Sequence, residues 1–465
     1  MRKLFCVLTL CAALFPAFGE FDAIAAEKEQ ADNNVSAKKE WKNNFKFYGF
    51  IRNFFAFDTR ESLSGTGNLF YYIPKDQNIN EQGDDLNAQG SFRFLALTTR
   101  LGVDVSGYKF GNTYFGAKVE GDFYTGLQGS TGTANARMRQ AYVTLGWKDL
   151  KMAGDDKASV NLKIGQAWHP MAADLPQVFC LESGAPFGPF SRTPQVTMDA
   201  NLGRHWTLTG SLLWQMQYTS AGPSWDAAQK TYVTKKSADY IKYSCTPEAY
   251  VGLTYQTAGF LVKAGVDVLS IRPRIQGFLR DGSGELQTDQ PVKVNDRITT
   301  VSPLLFMQYK YKNFLIKAKT VYGSAGEHMS LNSGYVKVGE NENGSWDYAP
   351  LHSSSSWMSI SYGSKWKGVL FLGYMKNLGL AHEQADVVNA GDIFFSNNGY
   401  CNISQMYRIN PEVLLTLGKF QLGLEWQYTA VQYGDKSKLN KFALPTENLH
   451  WIANNRVQAM VKFNF

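Results

Sequence analysis

The 465 residues of the chain offer room for roughly two or three soluble domains or for one large β-barrel. After the N-terminus, no segment approaches the about 18 consecutive apolar residues that a membrane-spanning helix needs, which excludes a helical membrane protein. The formal net charge of +7 comes without a block of Lys or Arg residues, so the sequence lacks the electrostatic pattern of a nucleic-acid-binding protein.

The N-terminus has the pattern of a secretory signal peptide. Its start is positively charged, and an apolar run follows at 4–18. Small residues come next, with 23–25 as the better cleavage site and 17–19 as the second. The run is too short and wrongly flanked for a stable membrane span. We therefore predict a cleaved signal peptide at 1–25, followed by a short polar periplasmic tether at 26–44.

From Phe45 onward the sequence alternates with period two. Between Trp206 and Tyr218, for example, every second residue is apolar or Gly, and the residues between them are mainly polar. Such segments exceed about ten residues, the length of a tilted membrane strand, whereas strands of soluble domains usually have about five or six. We predict sixteen strands, at 45–57, 91–106, 111–126, 135–149, 158–168, 193–203, 204–218, 242–256, 258–272, 296–312, 313–324, 355–366, 367–380, 400–419, 420–434 and 450–465.

The connections between these segments alternate between short and long. Short connections are expected at 107–110, 202–204, 257–259, 312–313, 365–367 and 418–419, with a longer one at 150–157. Long polar connections are expected at 58–90, 127–134, 169–192, 219–241, 273–295, 325–354, 381–399 and 435–449. This alternation is typical of barrels with short periplasmic turns and long extracellular loops.

The predicted fold is therefore all-β, a 16-stranded antiparallel transmembrane β-barrel at 45–465. Hydrocarbon offers no water to backbone groups, so strands in a membrane must close into a ring. Sixteen strands enclose more space than side chains can fill, which leaves an aqueous channel. A soluble two-sheet sandwich is the alternative, but its strands are shorter and its outward residues are polar.

Aromatic residues mark the ends of the segments and of the chain. Those at segment ends are expected to form the girdles at the membrane interfaces, namely Trp206, Trp214, Tyr218, Trp366 and Tyr433. The last segment alternates up to Phe465, the final residue. A terminal aromatic of this kind resembles the assembly signal of bacterial outer-membrane proteins, although it also suits an ordinary last strand.

The polar residues of the alternating segments are candidates for a pore lining. Eleven are basic: Arg52, Arg100, Lys118, Arg137, Arg139, Lys163, Lys263, Lys317, Lys319, Arg456 and Lys462. Five are acidic: Asp104, Glu120, Asp122, Asp267 and Glu425. The basic excess predicts a mild preference for anions. Glu120 and Asp122 could mimic a catalytic carboxylate pair, but the next strand offers Arg137 and Arg139 as opposite charges.

The connection at 169–192 differs from the other long connections. It contains four prolines and several large apolar residues, among them Phe179, Phe187 and Phe190, which water outside the cell would not favour. A loop that folds into the barrel explains them, and its position resembles that of the third outer loop of sixteen-stranded general porins. We expect it to constrict the pore, with Asp174, Glu182 and Arg192 as its charged residues. A trimer-contact or surface loop is the alternative.

Cysteine, histidine and loop carboxylates predict little further chemistry. The mature chain keeps Cys180, Cys245 and Cys401, an odd number for which we expect three unpaired, mostly buried thiols, with one disulfide plus a free thiol as the alternative. The six histidines lack metal-ligand spacing, so no metal site and no cofactor are predicted. Calcium could bind the outer loops at 281–285 and 341–347, which are more often plain turns.

Four tetrapeptides in order carry a family resemblance: Glu120-Gly-Asp-Phe123, Arg139-Gln-Ala-Tyr142, Gly165-Gln-Ala-Trp168 and Arg192-Thr-Pro-Gln195. The series resembles the DcaP-like trimeric porins and, more distantly, the phosphate-selective porins. The opening Tyr48-Gly-Phe-Ile-Arg52 fits the same first strand, and the match covers roughly residues 45–200. The short tether departs from the longer coiled-coil extension of some members. The resemblance implies a homotrimer that passes small, often anionic, solutes.

These patterns predict a porin in the outer membrane of a Gram-negative bacterium, in contact with lipid and lipopolysaccharide. Passive diffusion of small hydrophilic solutes through a water-filled channel needs no bond to be made or broken, so an enzyme is not expected. A substrate-specific channel for carboxylates or phosphate is the first alternative. An outer-membrane barrel hydrolase and a surface adhesin are the others.

Overall fold

The computed structural model of the chain describes residues 44–64, 71–95, 98–124, 135–151, 157–395 and 401–465. The predicted signal peptide lies outside the described residues, and so does the predicted tether except for its last residue. The cleaved signal peptide and the periplasmic tether therefore stay predictions.

Nearly all regular structure in the described residues is β-strand. In chain order the strands are β1 (Phe45–Asp58), β2 (Ser62–Ser64), β3 (Tyr71–Pro74), β4 (Ser91–Leu95), β5 (Arg100–Phe110), β6 (Thr113–Tyr124), β7 (Asn135–Lys151), β8 (Lys157–Trp168), β9 (Arg192–Leu202), β10 (Trp206–Leu213), β11 (Ala221–Asp226), β12 (Thr231–Lys236), β13 (Glu248–Gln256), β14 (Phe260–Ile271), β15 (Gln276–Arg280), β16 (Leu286–Lys293), β17 (Ile298–Tyr311), β18 (Phe314–Ser324), β19 (Tyr335–Glu340), β20 (Trp346–Pro350), β21 (His352–Gly363), β22 (Trp366–Gly379), β23 (Ile393–Phe394), β24 (Ile403–Leu417), β25 (Phe420–Tyr433) and β26 (His450–Asn464).

Helices are few and short in the same residues. An α-helix, α1, spans Asp239–Ser244, and 3-10 turns span Glu327–Met329 and Ala390–Asp392. No helix in the described part of the chain is long and apolar enough to cross a membrane.

One antiparallel sheet of the described residues closes on itself and forms the wall of a barrel. Strands β4 and β5 pair with successive parts of β1 and together count as one strand, so the wall has sixteen strands. The ring closes between the first and last strands, where Phe50 of β1 pairs with Asn464 and Asp58 pairs with Arg456 of β26. Closure leaves the wall without a free edge. The predicted sixteen-stranded barrel is confirmed.

The wall is apolar on its outer face. In β25, for example, Leu424 and Trp426 are exposed, whereas Glu425 and Gln427 beside them are buried. A soluble protein shows the opposite distribution, because water favours polar side chains on the outer face of a strand. An apolar outer face and a polar inner face are what a strand wall needs when hydrocarbon surrounds it.

The predicted aromatic girdle is partly wrong. Trp206, Trp214 and Trp366 are exposed at strand ends or just beyond them, as expected. Tyr433, however, is only 1% exposed, and its hydroxyl donates to the carbonyl oxygen of Pro74 at 2.6 Å. Its position in β25 has the parity of the inward-facing residues of that strand, which explains why it points into the barrel.

Three predicted boundaries also differ from the structure. The segment at 204–218 ends as a strand at Leu213, because the Gln215 side chain bonds Ser220 and turns the chain back. The first part of the segment at 242–256 is α1 and a short connection. Residues 107–110 belong to β5, and the tight turn lies at 111–112 instead, where Gly111 has a φ of +56°.

Several outer connections contain small sheets that were not predicted from the sequence. Strands β2–β3, β11–β12 and β15–β16 form separate hairpins, and β19 pairs with both β20 and β23. Tyr335 of β19 and Phe394 of β23 share one buried cluster with Ile241 of α1 and with Leu269 of β14. The outer connections are therefore folded structures that pack on one another and on the ends of wall strands.

The three cysteines within the described residues are all free. Cys180 and Cys401 are buried as expected, whereas Cys245, directly after α1, is exposed. The structure thus contains three unpaired thiols, of which two are buried.

Candidate pore lining and the loop inside the barrel

Residues 169–191, which we call the inner loop, connect β8 to β9 inside the barrel. The loop crosses the interior, because it bonds inward-facing side chains of strands that lie far from β8 around the ring. These bonds are Lys319 Nζ to Met171 O at 2.9 Å, Lys263 to Asp174 at 2.6 Å, Lys317 Nζ to Leu175 O at 3.2 Å, Gln177 N to Ser359 Oγ at 3.2 Å and Phe179 N to Glu412 Oε2 at 3.0 Å.

The apolar residues of the inner loop pack on an apolar part of the inner wall. Phe187 lies edge-on against Phe371 of β22, with ring centroids 6.2 Å apart. It also covers Gly373, where an added Cβ would come within 2.5 Å of the Phe187 ring. Phe371 and Trp357 face inward and are buried. The inner wall was predicted to be polar, and at this place it is apolar instead. A loop that fills one side of the lumen needs apolar wall residues to pack against.

Buried charges hold the middle of the inner loop. Glu182 lies 3.4 Å from Arg408 Nη1 and 3.6 Å from Arg456 Nη1, on β24 and β26. Burial raises the pKa of the neighbouring Cys180 thiol well above its ordinary value, and the carboxylates of Glu182 and Glu425 add to the rise. Cys180 is therefore a neutral thiol rather than a nucleophilic thiolate.

A cavity of about 380 Å³ remains between the inner loop and the opposite wall. Four arginines line it: Arg52, Arg100, Arg137 and Arg139. Glu120 is the acidic residue among its lining side chains in the described part of the chain. The inner loop contributes the other side, including Phe179, Cys180 and Ser183. The charged lining of this cavity is thus mainly basic.

Two carboxylates hold part of this arginine group in place. Asp122 accepts hydrogen bonds from Arg137 Nε at 2.9 Å and Arg139 Nη1 at 2.8 Å. Glu120 accepts from Arg139 Nε at 2.8 Å and lies 3.8 Å from Arg100. Both carboxylates are ion-paired with the neighbouring strands, as the wall interpretation of this pair predicts.

The other predicted wall residues have various environments. Asp104 pairs with Lys118 at 2.8 Å, and Lys163 lies over the Tyr142 ring, outside the lining of the cavity. Lys263, Lys317 and Lys319 bind the inner loop, as described above. Glu425 is buried and accepts bonds from Gln427 and Gln458. Asp267 belongs to a separate buried cluster with His169, Glu248 and His328.

Of the residues predicted for the inner loop, Asp174 and Glu182 anchor it to the wall. Arg192 is the first residue of β9 and lies over the Trp168 ring at 4.8 Å, while its Nε donates to Gln217 Oε1. Phe465 is half-exposed at the barrel seam, where its backbone N–H donates to Gly49 O at 3.1 Å. Its role as an assembly signal stays a prediction.

Several buried charged residues were not predicted from the sequence. Asp58 accepts bonds from Arg93, Asn454 and Arg456 and lies one residue beyond the predicted end of the first strand. Arg408 and Glu412 have the inward parity of β24 and could have been found from it. Glu248 lies inside a predicted strand, where its parity marks it as inward-facing.

The two candidate calcium segments form hairpin turns. Asp281 Oδ1 accepts from the backbone N–H groups of Ser283 and Glu285, between β15 and β16. Asn341 Nδ2 donates to Ser345 Oγ and Asp347 Oδ2, between β19 and β20. Calcium binding there stays a prediction.

The fold is similar to that of a solved outer membrane channel. Over 90% of this chain and 97% of the other, the barrel superposes on the outer membrane channel DcaP of Acinetobacter baumannii, with a TM-score of 0.59 and 16% sequence identity. The chain has the fold of this channel. The resemblance predicted from the tetrapeptides is thus confirmed at the level of the fold.

Two further structures are more remote. An anion-selective porin from Comamonas acidovorans has a TM-score of 0.47 and 11% identity, over 90% of this chain and 99% of that chain. OmpT of Vibrio cholerae has a TM-score of 0.46 and 11% identity, over 90% and 97%. No family model matches the sequence. No curated protein matches it either.

Proposed function

We propose that the protein is an outer-membrane porin through which small hydrophilic solutes diffuse, with a preference for anions. The observation that carries this proposal is the basic cavity between the inner loop and the wall of a closed, outwardly apolar barrel. Solutes pass between the arginines and the inner loop, and the size of this passage limits what can enter.

The location and assembly belong to the same proposal. The apolar outer face suits lipid and lipopolysaccharide, and the N-terminal pattern suits export with cleavage of a signal peptide. The solved channel of the same fold is an outer membrane channel of Acinetobacter baumannii. We infer a homotrimer from the family resemblance, and chemical crosslinking of the detergent-solubilised protein should then trap three chains.

The arginine group also favours a second function, a channel specific for carboxylates or phosphate. Guanidinium groups bind both anions through paired hydrogen bonds, which a diffuse positive charge cannot do. Arg52, Arg100, Arg137 and Arg139 all reach one cavity, so an anion there can bond more than one of them. In a specific channel, the bound solute should block the chloride current. The same solute concentration should leave the chloride current through a general porin unchanged.

Planar-bilayer recording of the purified protein tests both functions. We expect stepwise conductance, and under a salt gradient a reversal potential that shows anion selectivity. Addition of succinate or phosphate at constant ionic strength then separates the two, because only a specific channel loses chloride conductance. Heat-denatured protein is the control. A folded barrel that inserts without conducting, or that prefers cations, contradicts the proposal.

A further inference from the structure

A buried cluster of two histidines and two carboxylates lies where three parts of the barrel meet. His169 is the first residue of the inner loop, Glu248 begins β13, Asp267 lies in β14, and His328 belongs to the 3-10 turn that follows β18. All four side chains are almost completely buried. The residues are far apart in sequence, so only the fold brings them together.

The potential ligand atoms are close to one another. Glu248 Oε1 lies 2.8 Å from Nε2 of His169 and 2.8 Å from Nε2 of His328. His169 Nε2 lies 3.8 Å from Asp267 Oδ1. One atom from each residue falls within a group whose members are all within 4.8 Å of one another. Ligands at about 2.0–2.2 Å from a common centre have separations of this order.

Charge balance within the cluster is incomplete. Oδ1 of Asp267 and Oε2 of Glu248 are buried and accept no hydrogen bond within the described residues. No Lys or Arg side chain in the described part of the chain pairs with either carboxylate. Buried carboxylates without compensating charge are costly, and a divalent cation supplies two positive charges. Two carboxylates, two neutral imidazoles and one such cation add up to zero net charge.

We propose that His169, Glu248, Asp267 and His328 bind one divalent transition-metal ion, with zinc as the preferred metal. Two imidazole nitrogens and two carboxylate oxygens form a four-coordinate set that suits zinc, whereas calcium and magnesium prefer oxygen alone. Met171, Leu213 and Met329 belong to a neighbouring buried apolar cluster, and the four candidate ligands are themselves almost completely buried, so an ion there exchanges slowly with solvent. Four protein ligands and no open position are typical of a structural site rather than a catalytic one.

Metal binding requires one rearrangement. The backbone N–H of Met171 donates to Nδ1 of His169 at 3.1 Å, which leaves the proton of the neutral ring on Nε2, directed at Glu248. A metal on Nε2 moves this proton to Nδ1, so the Met171 N–H must turn away. The competing arrangement keeps this bond and contains no metal: both imidazoles then donate to Glu248, and Asp267 is protonated.

The proposed ion links the start of the inner loop to β13, β14 and the turn after β18. Its removal should loosen the inner loop at the end where it leaves β8. In bilayer recordings, a chelator should then increase the open-channel current noise of the wild-type protein, and zinc should reverse the effect.

Metal content of the full, untagged chain in detergent tests the site directly. The protein is incubated with zinc, dialysed against metal-free buffer and measured by inductively coupled plasma mass spectrometry. We expect one zinc ion per chain. His328→Ala should lose the bound zinc. Asp267→Asn keeps the shape of the side chain and should weaken zinc binding at least roughly ten-fold, because even residues that only hydrogen-bond a metal ligand usually contribute that much to the affinity. His382→Ala, at an exposed loop histidine outside the cluster, should retain one ion.

The heat-dependent electrophoretic shift of a folded barrel shows which variants have folded. If the cluster variants do not fold, the site is tested in the wild-type chain instead, by loading it with cobalt in place of zinc. We then expect the visible absorption bands of four-coordinate cobalt. A folded wild-type barrel without bound zinc or without these bands overturns the proposal in favour of the hydrogen-bonded arrangement. Equal zinc loss in His382→Ala and in the cluster variants overturns it as well.

Discussion

The four arginines of the cavity differ in how far their charge is neutralised. Arg137 and Arg139 bond Asp122 and Glu120 at 2.8–2.9 Å. Arg52 forms no ion pair with a carboxylate of the described residues, and its Nε and Nη2 donate to Thr98 Oγ1. Its charge is therefore the least compensated of those that a passing anion meets.

Substitution Arg52→Gln should reduce the anion-to-cation permeability ratio. A unit charge about 4 Å from an ion is worth about 1 kcal/mol in water, which corresponds to a roughly five-fold change in relative permeability. The reversal potential under a salt gradient measures this ratio, and low salt should increase the difference because screening is weaker.

Lys163→Gln is the matched control, since it removes one charge from the inner wall outside the cavity lining. We expect a clearly smaller change in the permeability ratio from it than from Arg52→Gln. Equal changes in the two variants would mean that the cavity does not select the ions.

At the residue scale, the sequence reveals which side of a strand a residue faces, but not which distant residues it contacts. Alternation identifies Arg52, Glu120 and Asp122 as inward-facing because side chains of a strand alternate strictly. It does not show that His169 meets Glu248, because 79 positions separate them and only barrel closure and the path of the inner loop bring them together. Contacts of this kind depend on the whole fold, so a local pattern cannot predict them.

The inner loop packs on Phe371 of β22 and Trp357 of β21, and the cavity separates it from the arginines of the opposite wall. Substitution Gly373→Val places a branched side chain where a Cβ already comes within 2.5 Å of the Phe187 ring. Overpacking of this kind typically costs about 1–3 kcal/mol, and here the loop can yield towards the cavity. We expect the single-channel conductance to fall, because the cavity becomes narrower.

Gly368→Val on the same strand is the control, since nothing lies within 4 Å of its Cβ position. It should leave the conductance close to that of the wild type. An unchanged conductance in folded Gly373→Val protein would show that this contact does not set the position of the inner loop.

Elements of the wall are more predictable from sequence than those outside it. Long alternating segments such as β25 and β26 match their predicted bounds closely, because membrane thickness demands length and a strict apolar face. The helix α1 and the hairpin of β11 and β12 were missed. Their apolar residues pack on neighbouring loops and on the ends of wall strands, and they show no regular spacing within the segment itself.

At the scale of the whole molecule, closure depends on the seam between β1 and β26. Asp58, near the outer end of this seam, is 1% exposed and accepts hydrogen bonds from Arg93 Nη1 at 2.7 Å, Arg456 Nε at 2.9 Å and Asn454 Nδ2 at 2.7 Å. One carboxylate thus joins β1 to β4 on one side and to β26 on the other. The sequence predicts that the first and last strands pair, but not that a buried charge joins them.

Substitution Asp58→Asn should weaken this closure, because an amide N–H replaces an acceptor oxygen and faces a guanidinium donor. Loss of one partner from a buried ion pair typically costs about 3–5 kcal/mol. Urea unfolding of the detergent-solubilised barrel, followed by tryptophan fluorescence, should show the loss as a lower midpoint. Asp149→Asn makes the same change in an exposed pair with Lys157 and should leave the midpoint nearly unchanged. If both substitutions shift the midpoint equally, the seam is not held by the buried charge of Asp58, and closure depends on backbone pairing alone.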